Sequence, residues 1–293
     1  MERQNYEYFR DERDDRISKR TFLTFAFILV FFYTIVFVTN IFFQQSYMYI
    51  TVNGMSMQPT LNSRPVSENG KSVQDGVYVK LTKNADYGDI IIVDRIEESN
   101  HTVIKRLLGK EKDKISIIKL NINGSEEYRF LRIKAGDTRV EVVYEKYING
   151  VCYDTSGNKY QLGYQNWSSL GISEIDNFIK YEPSFYNTFL ADETGDASKI
   201  FTYDVSYGGQ TYNSVKFYEI EDDKMFYMGD NRTGSTDCRT NGTEDVDKII
   251  GKVEVIAHDA SSPKNSPIYF LNKTKGYLEV IWKEIINIFS WKA

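Results

Sequence analysis

Two residues in this chain, a serine and a lysine, have the types and settings that nucleophilic catalysis needs. Ser56 stands in Asn53-Gly-Met-Ser-Met-Gln-Pro-Thr-Leu61, shortly after Gly54 and shortly before Pro59. Glycine and proline so placed describe a backbone that turns sharply and admits close approach of another chain. An ordinary turn serine has the same setting, so the rest of the chain must decide. A hydroxyl becomes a nucleophile near neutral pH only beside a base. Histidine is the usual base, but the chain has two, His101 in a polar loop and His258 after the last strand-like run. Neither has the local setting of a triad. A lysine in an apolar site also serves, because burial makes its proton easier to lose. Lys105, within Thr102-Val-Ile-Lys-Arg-Leu-Leu-Gly109, is the lysine most embedded in apolar sequence. Its ordinary alternative is to snorkel to water along its stem. Arg106 stays charged at any accessible pH, so it must pair with an acid or reach solvent. The inventory fits a Ser–Lys pair better than Ser–His–Asp.

These residues need elements to hold them. Thr21 to Phe43 is uncharged and rich in Phe, Ile, Val and Leu. As a helix rising roughly 1.5 Å per residue it is long enough to cross a hydrocarbon core of about 30 Å. No small-residue cleavage site follows it, as an export signal would require. Arg16, Lys19 and Arg20 flank its first end, and no Lys or Arg follows its second end until Arg64. The positive-inside rule then keeps the amino terminus in the cytoplasm and puts Ser56 outside, close to the bilayer. The charged residues 1–20 read as a solvated tail.

Beyond the anchor the pattern is β. Val77–Leu81, Ile90–Asp94 and Thr102–Gly109 read as strands, the last two as an antiparallel pair across a polar loop. Ile115–Leu120, an Asn123-Gly124 turn, Arg139–Val143 and Asn149-Gly150 suit hairpins. Met225–Met228 leads into Gly229-Asp-Asn-Arg-Thr-Gly-Ser-Thr-Asp-Cys-Arg239, a tight loop whose charges would brace a site through ion pairs or simply face solvent. Ile249–Ile256 is a further strand, with Gly251 placed for a bulge or close approach. Residues from Gly276 repeat Leu278, Ile281, Ile285, Ile288 and Phe289 at helical spacing, either on the lipid interface or docked on the domain. The fold class is mainly β: an antiparallel catalytic domain (44–109 and 216–262) with a β-rich insertion (110–215) and a tail (263–293), behind one transmembrane helix (21–43).

A net charge of −5 without a basic stripe argues against nucleic acid. Cys152 and Cys238 lie far apart without Cys-x-x-Cys neighbours, leaving two thiols or one disulfide, and few metal ligands exist. No cofactor is expected.

Four blocks, Gly54–Leu61, Gly88–Val93, Val103–Gly109 and Met228–Arg239, resemble in order the signature blocks of bacterial type I signal peptidases, and the preceding anchor is similar too. The resemblance covers roughly residues 20–109 and 216–256. It implies Ser56 as nucleophile, Lys105 as general base, Ser235 orienting the lysine, and Asp237 with Arg239 as a bracing pair. It further implies that Gly229, Asp230, Asn231 and Arg232 shape the active-site loop, and that Gly54, Met57 and Pro59 belong to the oxyanion site and substrate cleft, with the Ser56 amide donating to the oxyanion. The implied activity is removal of signal peptides from exported preproteins, after small residues, at the outer face of the cytoplasmic membrane. Cys238 replaces a common serine, Gly54 lacks a hydroxyl that some members use, and Lys-Glu-Lys-Asp follows Gly109 where Leu-Pro-Gly-Asp is usual. The alternative is a catalytically silent relative serving assembly or binding, such as pilus assembly. It would be expected to have lost the serine or the lysine.

Overall fold

The computed structural model describes residues 2–62, 74–95, 101–145, 151–153, 159–161, 180–191, 196–257 and 267–290. The Asn149-Gly150 turn and His258 lie outside them. The chain divides into two units, Met1–Tyr47 and Met48–Ala293.

The first unit is α1 (Glu2–Ser46), within which Ser18–Ser46 is long and apolar enough to cross a membrane. Because α1 begins at Glu2, the charged segment expected to be a tail continues the same helix. Hydroxyls on the apolar stretch are satisfied internally: Thr24, Thr34 and Thr39 each donate to the carbonyl four residues back, at 2.8–2.9 Å. A hydroxyl on a helix placed in hydrocarbon would have no other partner, and these three are satisfied within the helix itself.

The second unit is built from antiparallel sheets, with strands β1 (Tyr47–Thr51), β2 (Gly76–Lys80), β3 (Ile90–Arg95), β4 (His101–Gly109), β5 (Lys114–Ile122), β6 (Ser125–Ile133), β7 (Glu141–Val142), β8 (Val151–Tyr153), β9 (Lys159–Gln161), β10 (Ile200–Tyr207), β11 (Gln210–Glu219), β12 (Lys224–Met228), β13 (Glu244–Asp245) and β14 (Ile249–Ala257). One sheet runs β1-β2-β14-β3-β4-β12-β13, a second β10-β11-β5-β6-β7, and β8 pairs with β9. The expected β3–β4 pair forms, with Ile91 opposite Lys105. So does the β5–β6 hairpin, whose two-residue loop puts Asn123 and Gly124 at positive φ. Of the strand expected over Arg139–Val143 only β7 exists. The β10–β11 hairpin arises from a Tyr- and Asn-rich stretch without clear periodicity.

The two sheets share one core. Ile91, Val93 and Leu107 from the first pack with Ile117, Phe130 and Phe217 from the second, and Phe226 stacks on Phe130. A smaller cluster of Val52, Met57, Leu61, Val77, Val79, Ile90 and Ile92 lies at the β1–β2 end. Gly251 sits where β14 shifts register, and a Cβ there would lie 2.3 Å from the Lys80 carbonyl oxygen. A final helix, α2 (Pro267–Ser290), contacts β14 and β2 and starts earlier than the apolar spacing alone would place it.

Candidate active site

Ser56 lies on the loop after β1. Gly54 has φ +84°, a conformation that favours glycine, and its carbonyl accepts from Asn62 Nδ2 at 2.8 Å. Asn62 also donates to the Val52 carbonyl and exchanges two hydrogen bonds with Asp75, tying the far end of the loop to its start. Met57 and Leu61 then act as apolar pegs beneath the serine, both almost fully buried. The sequence places Met57 next to the nucleophile but carries no signal that marks Asn62.

Lys105 comes from the middle of β4. It is 4% exposed, and its Nζ lies 3.0 Å from Ser56 Oγ and 3.0 Å from the Ile104 carbonyl oxygen to which it donates. Burial pushes its pKa below the ordinary lysine value; Asp237 opposes the shift and Arg95 adds to it. With the amine charged, the lysine donates to the serine. With the amine neutral, the serine hydroxyl donates to nitrogen, which is the geometry of a general base. Both side chains line a groove of about 540 Å³, walled by Ile50, Val52, Ile92, Val103 and Ile104. Gly54, Met57 and Pro59 are not part of that wall. His101 opens β4 instead of sitting in a loop, and its side chain lies outside the described residues.

The loop after β12 closes over the back of the serine. Asn231 N donates to the Ser56 carbonyl at 3.0 Å, and Asn231 Nδ2 to the Met55 carbonyl at 3.1 Å. Gly229 lies so close that a Cβ there would be 2.4 Å from the Ser56 carbonyl oxygen and 2.2 Å from Ser235 Oγ. Asp237 Oδ2 accepts from Gly229 N at 3.0 Å, and Arg239 Nε donates to Asp237 Oδ1 at 2.9 Å. Burial alone would raise the Asp237 pKa, but the Arg239 charge and hydrogen bonds outweigh it, leaving the carboxyl below its usual range. Ser235 Oγ is buried without a well-formed hydrogen bond, so it does not hold Lys105 in this conformation.

Asp230 takes a bidentate grip from Arg106, Nε to Oδ1 at 2.8 Å and Nη2 to Oδ2 at 2.6 Å, and also accepts from Thr60 Oγ1 at 2.5 Å. This one carboxylate joins the strand of the lysine to the loop of the serine. Arg232 donates through Nε to the Gly229 carbonyl and pairs with Glu145. Arg239 reaches Glu182 at 3.4 Å, and Thr188 donates to the Arg239 carbonyl at 2.6 Å. Glu145, Glu182 and Thr188 all belong to the 110–215 segment, which therefore braces the loop behind the site. No periodicity or motif marks them in the sequence. Cys238 is a buried free thiol whose Sγ accepts from Tyr227 N, so it is not bonded to Cys152. Among the described residues no cluster of side chains could hold a metal ion.

Residues 19–258 match the family profile described as signal peptidase, peptidase S26. A search of curated proteins found no match.

Proposed function

Because the chain belongs to the signal peptidase family, peptidase S26, we propose that it is a membrane-anchored serine endopeptidase that cuts signal peptides from exported preproteins with a Ser56–Lys105 dyad. In this reading neutral Lys105 takes the Ser56 proton as Oγ attacks the scissile carbonyl carbon. The oxyanion forms against the Ser56 backbone N–H. The lysine ammonium then gives its proton to the departing amine of the mature protein, leaving the signal peptide as an ester on Ser56. Water, deprotonated by the same amine, hydrolyses that ester. Ser235 turns toward the lysine when substrate excludes water, and the apolar groove takes the small side chains before the cut. The preprotein arrives at the outer membrane face because α1 holds the β unit there, with its amino terminus in the cytoplasm.

The observation that carries this reading is the 3.0 Å separation of a buried lysine nitrogen and Ser56 Oγ at an apolar groove. The test offers a preprotein to the detergent-purified full chain beside Ser56→Ala and Lys105→Ala. Cleavage by the native chain and by neither variant is expected. Cleavage surviving either substitution removes the dyad, and an inert native chain favours a binding or assembly role.

A further inference from the structure

Helix α2 is amphipathic in an unusual sense: it is docked by one side and apolar on the other. On the docked side Val280 is buried, and a Cβ on Gly276 would lie 2.6 Å from the Tyr78 ring. Tyr78 Oη donates to the Lys273 carbonyl at 2.6 Å, Lys80 pairs with Glu284 at 2.7 Å, and Lys283 donates to the Glu254 carbonyl at 2.8 Å. These contacts fix the helix on β2 and β14 and decide which side faces out.

That outer side carries Leu271, Leu278, Trp282, Ile285 and Ile286. At about 100° per residue they fall within roughly 100° of arc. Trp282 is 62% exposed and Leu278 58%. Lys275 shares the arc, and its stem is long enough to carry the ammonium past an apolar layer. Burying such a stripe in the domain would have been favourable, yet the polar anchors at Lys80, Tyr78 and Lys283 hold it away. A stripe of this size on an otherwise charged helix marks a partner surface.

Its place in the chain says which partner. Lys273 Nζ sits 5.0 Å from the centre of the Tyr49 ring. Tyr49 is three residues beyond Ser46, where α1 ends, so covalent geometry keeps it within about 11 Å of that point. The first half of α2 is thus packed beside β1, the strand that directly follows the apolar span in the chain. We infer that α2 is a second, interfacial membrane contact, lying on the lipid surface through Leu278, Trp282 and Ile285 and fixing the tilt of the β unit over the bilayer. The inference rests on the reading that α1 spans the membrane. A tryptophan at the headgroup boundary, with aliphatic neighbours dipping below, is the chemistry that a lipid interface selects.

The experiment uses the full chain in nanodiscs, with brominated lipid as quencher. Trp167→Phe with Trp291→Phe leaves Trp282 as the reporter, and the same chain with Trp282→Phe and Phe32→Trp reports on α1. Loss of Trp282 emission with bromine high on the acyl chain is expected, together with loss of emission from the indole introduced at position 32 with bromine near the bilayer centre. Quenching at position 32 without quenching of Trp282 overturns the inference and leaves the anchor standing. Quenching at neither position overturns the anchor reading itself. A Trp282 that is unquenched but cross-links to a second copy assigns the stripe to self-association and also overturns the inference.

Discussion

Glu145 and Arg232, 87 positions apart, form an ion pair in which both side chains have no exposure to solvent. Arg232 Nε also donates to the Gly229 carbonyl, one residue from the Asp230 carboxylate that Arg106 and Thr60 hold. The pair therefore reaches from the 110–215 segment to the backbone behind Ser56. Removing one partner strands a buried charge, which costs about 3–5 kcal/mol, whereas replacing both by apolar groups is often neutral. Glu145→Gln should lower stability by that order and reduce preprotein cleavage. Glu145→Met with Arg232→Met should recover most of the stability but not all of the activity. A double-mutant cycle of Glu145→Met, Arg232→Met and the pair by urea unfolding checks this; a double variant whose loss equals the sum of the two single losses would reject the coupling.

Gly229 is required for close approach, with two groups inside any side chain's reach: the Ser56 carbonyl oxygen and Ser235 Oγ. Gly229→Ala must push the loop away from the serine, at a strain of about 1–3 kcal/mol. A displacement of about 1 Å at a reacting group is worth roughly 10²-fold in rate. The variant should fold and bind substrate but cleave about 10²-fold more slowly, as single-turnover kinetics would read. Unchanged turnover would mean that the loop does not position the nucleophile.

The contrast between these two predictions shows what is legible in a sequence of this kind. Gly229 stands inside a block dense in Gly, Asp, Asn and Arg, so local composition points to it. Strands β2, β3, β4, β12 and β14 are legible from alternation and β-branched runs, and the position of Lys105 among apolar neighbours predicts a buried amine. Glu145 and Glu182 are not legible, because an acid in a loop looks the same whether it meets water or an arginine from a loop far along the chain. The outward stripe of α2 is ambiguous for a related reason. Helical spacing identifies an apolar face, but the hydrogen bonds from Tyr78 and Lys283 decide where it points. Met57 is a similar case, since adjacency to Ser56 says nothing about which way the loop directs it.

Cys238 is buried beside Tyr227, and burial pushes its thiol well above the ordinary cysteine range. Thiolate is the reactive form, so the group should be inert while the chain is folded. In a Cys152→Ser background, iodoacetamide should label Cys238 only when denaturant opens the core. Cys238→Ser should keep activity, since serine can also accept from Tyr227 N, at a stability cost of about 1 kcal/mol for the smaller side chain. Rapid labelling in the native state would contradict the packing.

Lys105 ties stability to activity with opposite signs. Its folded-state pKa lies below the ordinary 10.5, chiefly through burial. Below that depressed value both the folded and the unfolded chain bind the proton, so the full penalty of burying the charge is present and the contribution of Lys105 to stability is at its lowest. Between the depressed value and 10.5 the folded amine is neutral while the unfolded chain still binds the proton, so stability rises with pH across that window. Catalysis follows the neutral amine, so kcat/KM should rise with pH through a single ionisation and level off below 10.5. Lys105→Met keeps the stem, removes the amine and abolishes the titration. It should lower kcat/KM by about 10⁴-fold or more while raising the thermal midpoint at neutral pH and flattening its pH dependence. A variant that is both inactive and less stable at every pH would show that the buried amine serves packing, not proton transfer.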